Sequence, residues 1–465
     1  MNPADLWHSL LTDDVARDQC ASLDRRMREA RLTFGGRVLC PFLRPFFLEA
    51  VDEPRVTAAA ETLWRLGERV AAAALEDDAL LRQLALTEEE IRLVRLDPGY
   101  GTASTAARAD AFLLPDSVQF AEYNAESPAG LAYSQGLAEV FTDTTLAARL
   151  RESFDVRFYR PVDAILDALL ASYRDWGGRA SPPTIAIVDW REVPTYTEFE
   201  LLRDAFVARG VPTVICDPRD LDLTGGRLLA GDRPIDLVYR RVLLNDIVAR
   251  RDECAALVAA YEARAVCVAN SFRCKIAHKK AFFAVLTDER WSRLFSDDER
   301  AVIRRHVPWT SLVREGDVAR DGVAIDLIPH LRNHRERFVI KPNDEYGGTG
   351  VTLGWDTSEA DWDQAIANAL AEPDRAWVAQ ERIAVRRETF PVCGLSTPLG
   401  AGPSTPLGAG ERGVEMRDML VDFAPYIFRG TVAGYLTRLS ATGLANVTSG
   451  GGQVPAFVVT GRLNS

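Results

Sequence analysis

The sequence predicts a multi-domain protein that joins an α/β region to an α+β region, and three observations support this fold class. The chain has 465 residues, which is too long for one compact core and favours two or three domains. Short apolar runs alternate with helical patterns over residues 183–270, as in a sheet covered by helices. From about residue 271, helical stretches are followed by a series of strand patterns, which is typical of a largely antiparallel sheet.

Composition and charge exclude several classes of protein. Hydrophobic residues make up 47% of the chain and charged residues 26%, as in an ordinary globular protein. The net charge of −12 argues against binding to nucleic acid or to an anionic membrane surface. No apolar run approaches about 18 residues and no leader-like segment opens the sequence, so we expect a cytoplasmic protein. Because no CxxC pair occurs, all seven cysteines are expected to be reduced and mostly buried: Cys20, Cys40, Cys216, Cys254, Cys267, Cys274 and Cys393.

The first 150 residues are predicted to be helical and then to form a hairpin. Residues 1–100 are mainly helical in pattern, with a 3.6-residue apolar period from Val56 to Leu75. Two alternating runs, Ala109–Leu114 and Ser117–Tyr123, flank a Pro-Asp turn, which predicts a β-hairpin. A helix is expected to follow at Ala129–Phe141, so residues 101–150 form one hairpin-and-helix unit.

Residues 183–270 predict an open α/β sheet of Rossmann-like character. Helices are expected at Thr197–Arg209 and Arg250–Arg264, between the strands. No G-x-G-x-x-G follows the first strand, which disfavours a dinucleotide site. The strand candidates are TIAIVDW, VPTVICD, DLVYRRV and AVCVAN.

The last third of the chain, residues 271–465, predicts two helices followed by strands around one further helix, Ser358–Leu370. The segment STPLGAG at 396–402 recurs at 404–410, and its Gly, Pro and Ala content predicts a disordered surface loop without chemistry of its own. The strand candidates are RFVIKP, VTLGW, WVAQERI, MLVDFAPYIF, GYLTRLS and PAFVV.

Lysine is rare in this chain, and one lysine precedes a glycine-rich turn. Of the 55 Lys and Arg residues only four are lysines, so a lysine marks a place where arginine does not suffice. Lys341 ends the strand pattern FVIK and is followed by NDEYGGTG, whose backbone N–H groups at Gly347, Gly348 and Gly350 could turn towards an anion. A compact ammonium suits a phosphate oxygen. The alternative is a plain β-hairpin with a glycine turn.

Four polar residues of the predicted hairpin form a second candidate site. Arg108 and Asp110 share one face of the first strand, and Glu122 and Asn124 share one face of the second, because side chains alternate along a strand. A tight turn brings the two pairs opposite each other. Two carboxylates and an amide oxygen are the ligands that Mg²⁺ takes together with substrate phosphates. The alternative is a solvated cross-strand salt bridge.

Three further stretches carry weaker signals. Lys280 opens an apolar helix, so its amine could reach into a cleft, although a solvated helix start is the plainer interpretation. The strand WVAQERI could pair its backbone with an adenine edge, with Gln380 or Glu381 adding a polar contact. Arg438 ends a strand before a Gly- and Ser-rich loop, where it suits a developing anion or a structural salt bridge.

Together and in this order, these stretches resemble the circularly permuted ATP-grasp proteins, a group that includes the synthetase domain of glutathionylspermidine synthase. The resemblance runs from about residue 100 to the C-terminus. Its most specific part is ARAD, followed twelve residues on by EYNAESP, where the synthetase pattern has Arg-x-Asp and then Glu-Tyr-Asn-Ala-Asp-Thr-Pro. The resemblance implies that residues 101–150 complete an ATP-grasp core. It also implies that 183–270 shape a substrate pocket and that 271–465 form the nucleotide-binding subdomains.

The resemblance also implies roles for the candidate residues. Magnesium would be held by Asp110, Glu122 and Asn124, and Arg108 would contact phosphate or the tetrahedral intermediate. The other roles are spread over the last third of the chain. Lys280 and Lys341 are the two nucleotide lysines, with Lys279 as the fallback for the first. A loop that closes over ATP contains Gly347, Gly348 and Gly350. The adenine strand contains Gln380, Glu381 and Ile383, and Arg438 lies near the transferred phosphate.

The implied activity is an ATP-dependent ligation of a carboxylic acid to an amine through an acylphosphate, with ATP and Mg²⁺ as cofactors. The substrates would be small molecules or peptides. The sequence has no match to the amidase domain of glutathionylspermidine synthase or to its substrate contacts, so its substrates are not implied. A nucleotide-binding scaffold or regulator and a kinase that stops at the phosphorylated acid remain alternatives, and the oligomeric state is open.

Overall fold

The computed structural model describes residues 1–372, 375–393, 414–441 and 451–462. The first hundred residues are mainly helical, as predicted, and the helix from Glu53 to Glu76 contains the predicted Val56–Leu75. Thr12 and Thr87 cap two of these helices through their side-chain oxygens. The helices are Pro3–Leu10, Asp13–Glu29, Glu53–Glu76, Asp78–Leu84 and Glu88–Arg95, with short strands at Thr33–Phe34, Arg37–Val38 and Phe46–Glu49.

An antiparallel sheet, here called the central sheet, joins the early hairpin to the end of the chain. The hairpin consists of strands Ala106–Leu113 and Val118–Asn124, so its prediction is confirmed. The first hairpin strand pairs with Glu415–Phe428, so residues far apart in sequence share one sheet. On its other edge Glu415–Phe428 pairs with Thr431–Ser440, which in turn pairs with Gly452–Val454. The strand Arg387–Val392 also pairs with Glu415–Phe428.

A four-stranded parallel sheet, here called the α/β sheet, confirms the Rossmann-like prediction for residues 183–270. Every residue of Ile185–Val188 and Leu237–Arg240 is buried, which explains their continuous apolar pattern. The predicted helix Arg250–Arg264 is shorter in the structure, Ala255–Glu262. The strand order is Cys267–Ala269, Leu237–Arg240, Ile185–Val188 and Thr213–Cys216, and the accompanying helices are Leu131–Thr142, Thr145–Leu150, Pro161–Asp175, Tyr196–Ala208 and Leu244–Ala249.

A second antiparallel sheet, here called the cleft sheet, faces the central sheet. Helices Leu327–Asn333 and Glu359–Ala371 pack on it around the buried Trp362. The predicted strand VTLGW is shortened, because a tight helical turn begins at Gly354, where a Cβ would lie 2.0 Å from the Arg335 carbonyl oxygen. Its strands, in order, are Thr310–Leu312, Trp377–Glu381, Phe338–Pro342 and Thr352–Leu353.

The remaining elements connect or flank these layers. Ser296 and Glu299 form a capping box at the start of helix Asp297–His306. The other helices are Lys275–His278 and Ala281–Thr287. The 3₁₀ turns are Pro218–Asp220, Phe272–Cys274, Glu289–Leu294, Arg335–Arg337 and Gly354–Asp356. The other strands are Phe154–Arg157, Leu221–Thr224, Arg227–Ala230, Arg233–Pro234, Asp317–Arg320, Val323–Asp326 and Ala456–Gly461.

Two sequence-based expectations need comment. Cys20 and Cys393 form a disulfide, so the expectation of seven reduced thiols is wrong for this pair. The other five cysteines are buried and free, as predicted. The fold brings Cys20 and Cys393 to a Cα–Cα distance of 5.7 Å across 373 residues of sequence, and no local pattern reports such a pairing. The STPLGAG repeat, residues 396–410, lies outside the described residues, so its disorder stays a prediction.

The helices were also compared with the length and hydropathy that a membrane span needs. Over the residues that the structure describes, no helix is both long and apolar enough to cross a bilayer.

Candidate functional site

The candidate residues meet in one cleft of about 230 Å³ between the central sheet and the cleft sheet. Gly350 is the one predicted site residue outside the lining. A Cβ added at Gly350 would lie 2.7 Å from the Pro342 side chain, so the turn has no room for a larger residue here. This glycine therefore shapes the turn and does not form part of the cleft wall. The predicted residues that line the cleft are Arg108, Asp110, Glu122, Asn124, Lys280, Lys341, Gly347, Gly348, Gln380, Glu381, Ile383 and Arg438.

The hairpin register places its four polar residues as the sequence predicts. Asp110 lies opposite Glu122, and Arg108 lies opposite Asn124. Arg108 Nε donates to Asp110 Oδ1 at 2.6 Å, and a second guanidinium, that of Arg438, donates to Asp110 Oδ2 at 2.7 Å. Burial alone would raise the pKa of Asp110, but the two guanidinium groups outweigh it and hold that pKa well below its usual range. Asp110 is therefore ionised at neutral pH.

A second acidic residue, Asp422, belongs to this cluster and is absent from the sequence-based prediction. It lies opposite Arg438 in the central sheet, and its Oδ2 accepts from Arg438 Nε at 2.5 Å. Its Oδ1 is buried and has no hydrogen-bond partner among the described residues. Burial, offset by Arg438 and reinforced by Asp110, raises the pKa of Asp422 to about 6. The one available signal was an aspartate inside the apolar strand MLVDFAPYIF.

The hairpin residues provide oxygen ligands suited to magnesium. Asp110, Glu122 and Asn124 all line the cleft, and the Asn124 side-chain nitrogen is buried without a hydrogen-bond partner among the described residues. Within those residues, no group of three or more His, Cys, Asp or Glu side chains is arranged as a metal site. Two carboxylates and an amide still fit Mg²⁺, because this ion keeps several waters and shares its coordination with substrate phosphates.

Lys341 projects from the cleft sheet towards the hairpin. Its Nζ donates to Gln380 Oε1 at 2.6 Å and to the Ala121 carbonyl oxygen at 3.3 Å. Burial, partly offset by Glu122 and reinforced by Lys280, lowers the pKa of Lys341 to about 8. Lys341 is therefore a cation that loses its proton just above neutral pH unless an anion binds beside it.

The structure separates Lys280 from its neighbour Lys279. Lys280 Nζ lies 3.6 Å from Glu122 Oε2 and donates to the Glu345 carbonyl oxygen, and Lys280 lines the cleft. Lys279 is buried and its Nζ contacts Glu90 and Asp344 instead, at 2.9 and 2.7 Å. Of the two, only Lys280 is placed to meet a ligand in the cleft.

The glycine-rich loop has the backbone conformation that its sequence predicts. Gly347, Gly348 and Gly350 have φ values of +66°, +79° and +72°, in the region that other residues rarely adopt. Residues 345–349 line the cleft, so the loop forms one of its walls. A loop so placed can direct backbone N–H groups towards an anion.

The predicted adenine strand lies in the middle of the cleft sheet, and not at an edge. Trp377–Glu381 pairs with a strand on each side, so the strand does not offer adenine the open backbone edge that was expected. The polar contact expected of Gln380 or Glu381 stays a prediction, and both residues line the cleft. Gln380 holds Lys341 with its side chain, and Glu381 pairs with Arg320. Ile383 lies past the end of the strand and lines the cleft, where the chain has left the sheet.

The chain also matches a family of known proteins. The family model described as circularly permuted ATP-grasp type 2 matches residues 115–439 of the chain. That match covers more than two thirds of the 465 residues. Among curated proteins, no sequence matches this chain.

A solved structure shares the fold at low sequence identity, and two others superpose less closely. A glutathione synthetase-like effector from Globodera pallida superposes with a TM-score of 0.60 at 10% identity, over 96% of this chain and 98% of that one. A protein provisionally named gamma-glutamylcysteine synthetase from Methylobacillus flagellatus gives a TM-score of 0.41 at 12% identity, over 83% and 84%. D-cycloserine synthetase gives 0.30 at 15% identity, over 54% of this chain and 90% of that one.

Proposed function

The chain belongs to the circularly permuted ATP-grasp family, type 2, and from that premise we propose that it is an ATP-dependent ligase that joins a carboxylic acid to an amine. The observation that carries the proposal is the meeting of two phosphate-suited lysines, two arginines and an oxygen ligand set in one cleft. The direct test is ATP turnover that requires both an acid and an amine.

The nucleotide would lie along the cleft sheet. Lys280 and Lys341 would bind its phosphates as mobile point charges, and the loop containing Gly347 and Gly348 would cover them with backbone N–H groups. The segment past Glu381, which includes Ile383, would meet the adenine. Asp110, Glu122 and Asn124 would hold Mg²⁺, which would supply positive charge to offset that of the phosphates.

The arginines would act where negative charge develops. The acid's carboxylate would attack the γ-phosphate, giving an acylphosphate and ADP, and the amine would then displace phosphate to form the amide. Arg108 and Arg438 lie together on Asp110, beside the magnesium ligands. From there they would stabilise the transferred phosphoryl group and the tetrahedral oxyanion. The loop over the cleft would keep water from the acylphosphate.

Substrates and location follow from this chemistry. The α/β sheet would shape the pockets for a small-molecule or peptide acid and an amine, without nucleic acid or membrane as a partner. We place the reaction in the cytoplasm, where ATP and magnesium are available.

The affinity for ATP is expected to fall as the pH rises through about 8, the pKa of free Lys341. Below pH 7 this lysine is already charged, so its titration leaves the affinity unchanged. Above pH 8 it must take up a proton to bind phosphate, so the Kd rises by up to about tenfold for each pH unit. Calorimetry of magnesium-ATP binding at pH 7 and pH 9, in buffers of different ionisation enthalpy, measures both the Kd and the proton uptake.

The matched control is Lys341→Arg, which keeps the charge at both pH values. This variant is expected to bind more weakly but without extra proton uptake at pH 9. Equal uptake by the variant and the unaltered chain would show that another group titrates.

A further inference from the structure

A largely buried group of charges lies just outside the cleft, with the Asp344 side chain 18% exposed. Lys275 is 0% exposed, and its Nζ donates to Glu126 Oε2 at 3.1 Å and to Asp344 Oδ1 at 2.6 Å. Glu126 also accepts from Arg240 of the α/β sheet at 2.9 Å. Lys275 therefore links the α/β sheet, through Glu126, to the residue that precedes the glycine-rich loop.

Asp344 is held on both of its carboxylate oxygens. Its Oδ2 accepts from Lys279 Nζ at 2.7 Å, while Lys275 holds its Oδ1. Lys279 is in turn fixed by Glu90 Oε1 at 2.9 Å. The group thus contains three cations and three carboxylates, so its charges balance. Such pairing offsets the free-energy cost of removing charges from water. The members are Lys275, Lys279, Arg240, Glu90, Glu126 and Asp344.

The residue before Asp344 is fixed as firmly. Asn343 Oδ1 accepts from the Ala281 N–H at 2.8 Å, and its Nδ2 donates to the Leu84 carbonyl oxygen at 3.0 Å. Asn343 is 1% exposed, whereas Tyr346 is 63% exposed. The chain therefore changes from a buried, hydrogen-bonded segment at Asn343 to an exposed loop at Tyr346, three residues later.

We infer that Lys275 and Lys279 are positioning residues that clamp Asp344, the base of the glycine-rich loop, so that the loop can move only from Glu345 onwards. The inference rests on the proposed function, because it concerns how this loop meets nucleotide phosphates. The clamp shortens the segment that is expected to move when the loop closes over the cleft. Asp344 stays fixed to the core, and only residues 345–350 move.

The clamp also accounts for the distribution of lysines. Lys275 and Lys279 hold Asp344, and Lys280 donates to the Glu345 carbonyl. Lys341 is the second-last residue of the strand that leads into the loop. A compact ammonium can serve separate carboxylates at one buried point, which a planar guanidinium cannot do equally well. When phosphates bind, Lys280 exchanges the Glu345 carbonyl for a phosphate oxygen while the clamp persists.

The test compares Asp344→Asn with the unaltered chain for binding of magnesium and AMPPNP, and for amide hydrogen exchange of residues 345–350. The variant is expected to bind the nucleotide about tenfold or more weakly, because a small misplacement of a binding group costs that much or more. Its loop amides are expected to exchange faster in the free protein. Asp217→Asn is the control, since Asp217 is also buried and charged but pairs with Arg191 and Arg219 and with no residue of the clamp. It should lower the melting temperature but leave the Kd nearly unchanged.

The outcomes separate the clamp from simple stability and from the proposed function. If Asp344→Asn does not fold, Lys279→Gln, which leaves Lys275 on Asp344, gives the same two readouts with smaller changes. A folded Asp344→Asn with unchanged Kd and unchanged loop exchange would overturn the clamp. Failure of the unaltered chain to bind magnesium-AMPPNP would overturn the proposed function instead, and the loop exchange rates would still decide for or against the clamp.

Discussion

Asp110→Asn and Glu122→Gln are each expected to lower magnesium-ATP turnover at least about a hundredfold, the scale of losing a metal ligand or more. Both carboxylates line the cleft and lie opposite each other on the hairpin. Asp110→Asn also removes the charge that Arg108 and Arg438 share, so its loss is expected to be the larger. The measurement is the rate of ADP formation under conditions in which the unaltered chain turns over.

The matched control for these variants is Asp418→Asn. Asp418 lies on the same strand as Asp422 but is exposed and pairs with Arg387 at the surface. Its substitution should leave turnover unchanged. Near-normal turnover in both Asp110→Asn and Glu122→Gln would refute the metal assignment.

Glu126→Gln is expected to have the largest effect on stability, about 3–5 kcal/mol of unfolding free energy at pH 7. Glu126 and Arg240 are both 0% exposed, and Lys275 also donates to Glu126. Removing the carboxylate charge leaves two buried cations short of a partner. Denaturant unfolding of the variant and the unaltered chain measures the difference.

The pH dependence of this effect has a definite sign. Burial opposes ionisation of Glu126, but Lys275 and Arg240 outweigh it and lower its pKa to about 2, from an ordinary value of 4.5. The stabilisation is therefore complete above about pH 4.5 and is lost as the pH falls through about 2. The control Asp78→Asn breaks the exposed pair with Arg95 and should cost at most about 1 kcal/mol. A Glu126→Gln loss no larger than this would contradict the account.

Local patterns were enough to predict the elements that carry most of the site. Alternation along two runs with a Pro-Asp turn between them predicted the hairpin, and the period of two placed Asp110 beside Arg108 and opposite Glu122. The glycines after Lys341 predicted a turn with positive φ, which the structure shows. These features depend on residues close together in sequence, so the sequence reports them directly.

Features that depend on distant pairing were not predictable. The Asp422–Arg438 pair meets Asp110 only because the last strands join the first hairpin in one sheet. Strand Trp377–Glu381 was expected to offer its backbone to adenine, yet it pairs with a strand on each side. The contacts of Lys275 and Lys279 with Asp344 join residues 69 and 65 positions apart in sequence, so only folding brings them together.

The most direct test of the central claim is phosphate release from magnesium-ATP by the purified chain, with Lys341→Ala measured in parallel. The assay offers pooled carboxylic acids, amino acids and short peptides, with and without pooled amines. The account predicts release that needs both an acid and an amine and that is lost in the variant. Release that is equal without any amine, or equal in Lys341→Ala, would contradict a ligase that works in this cleft.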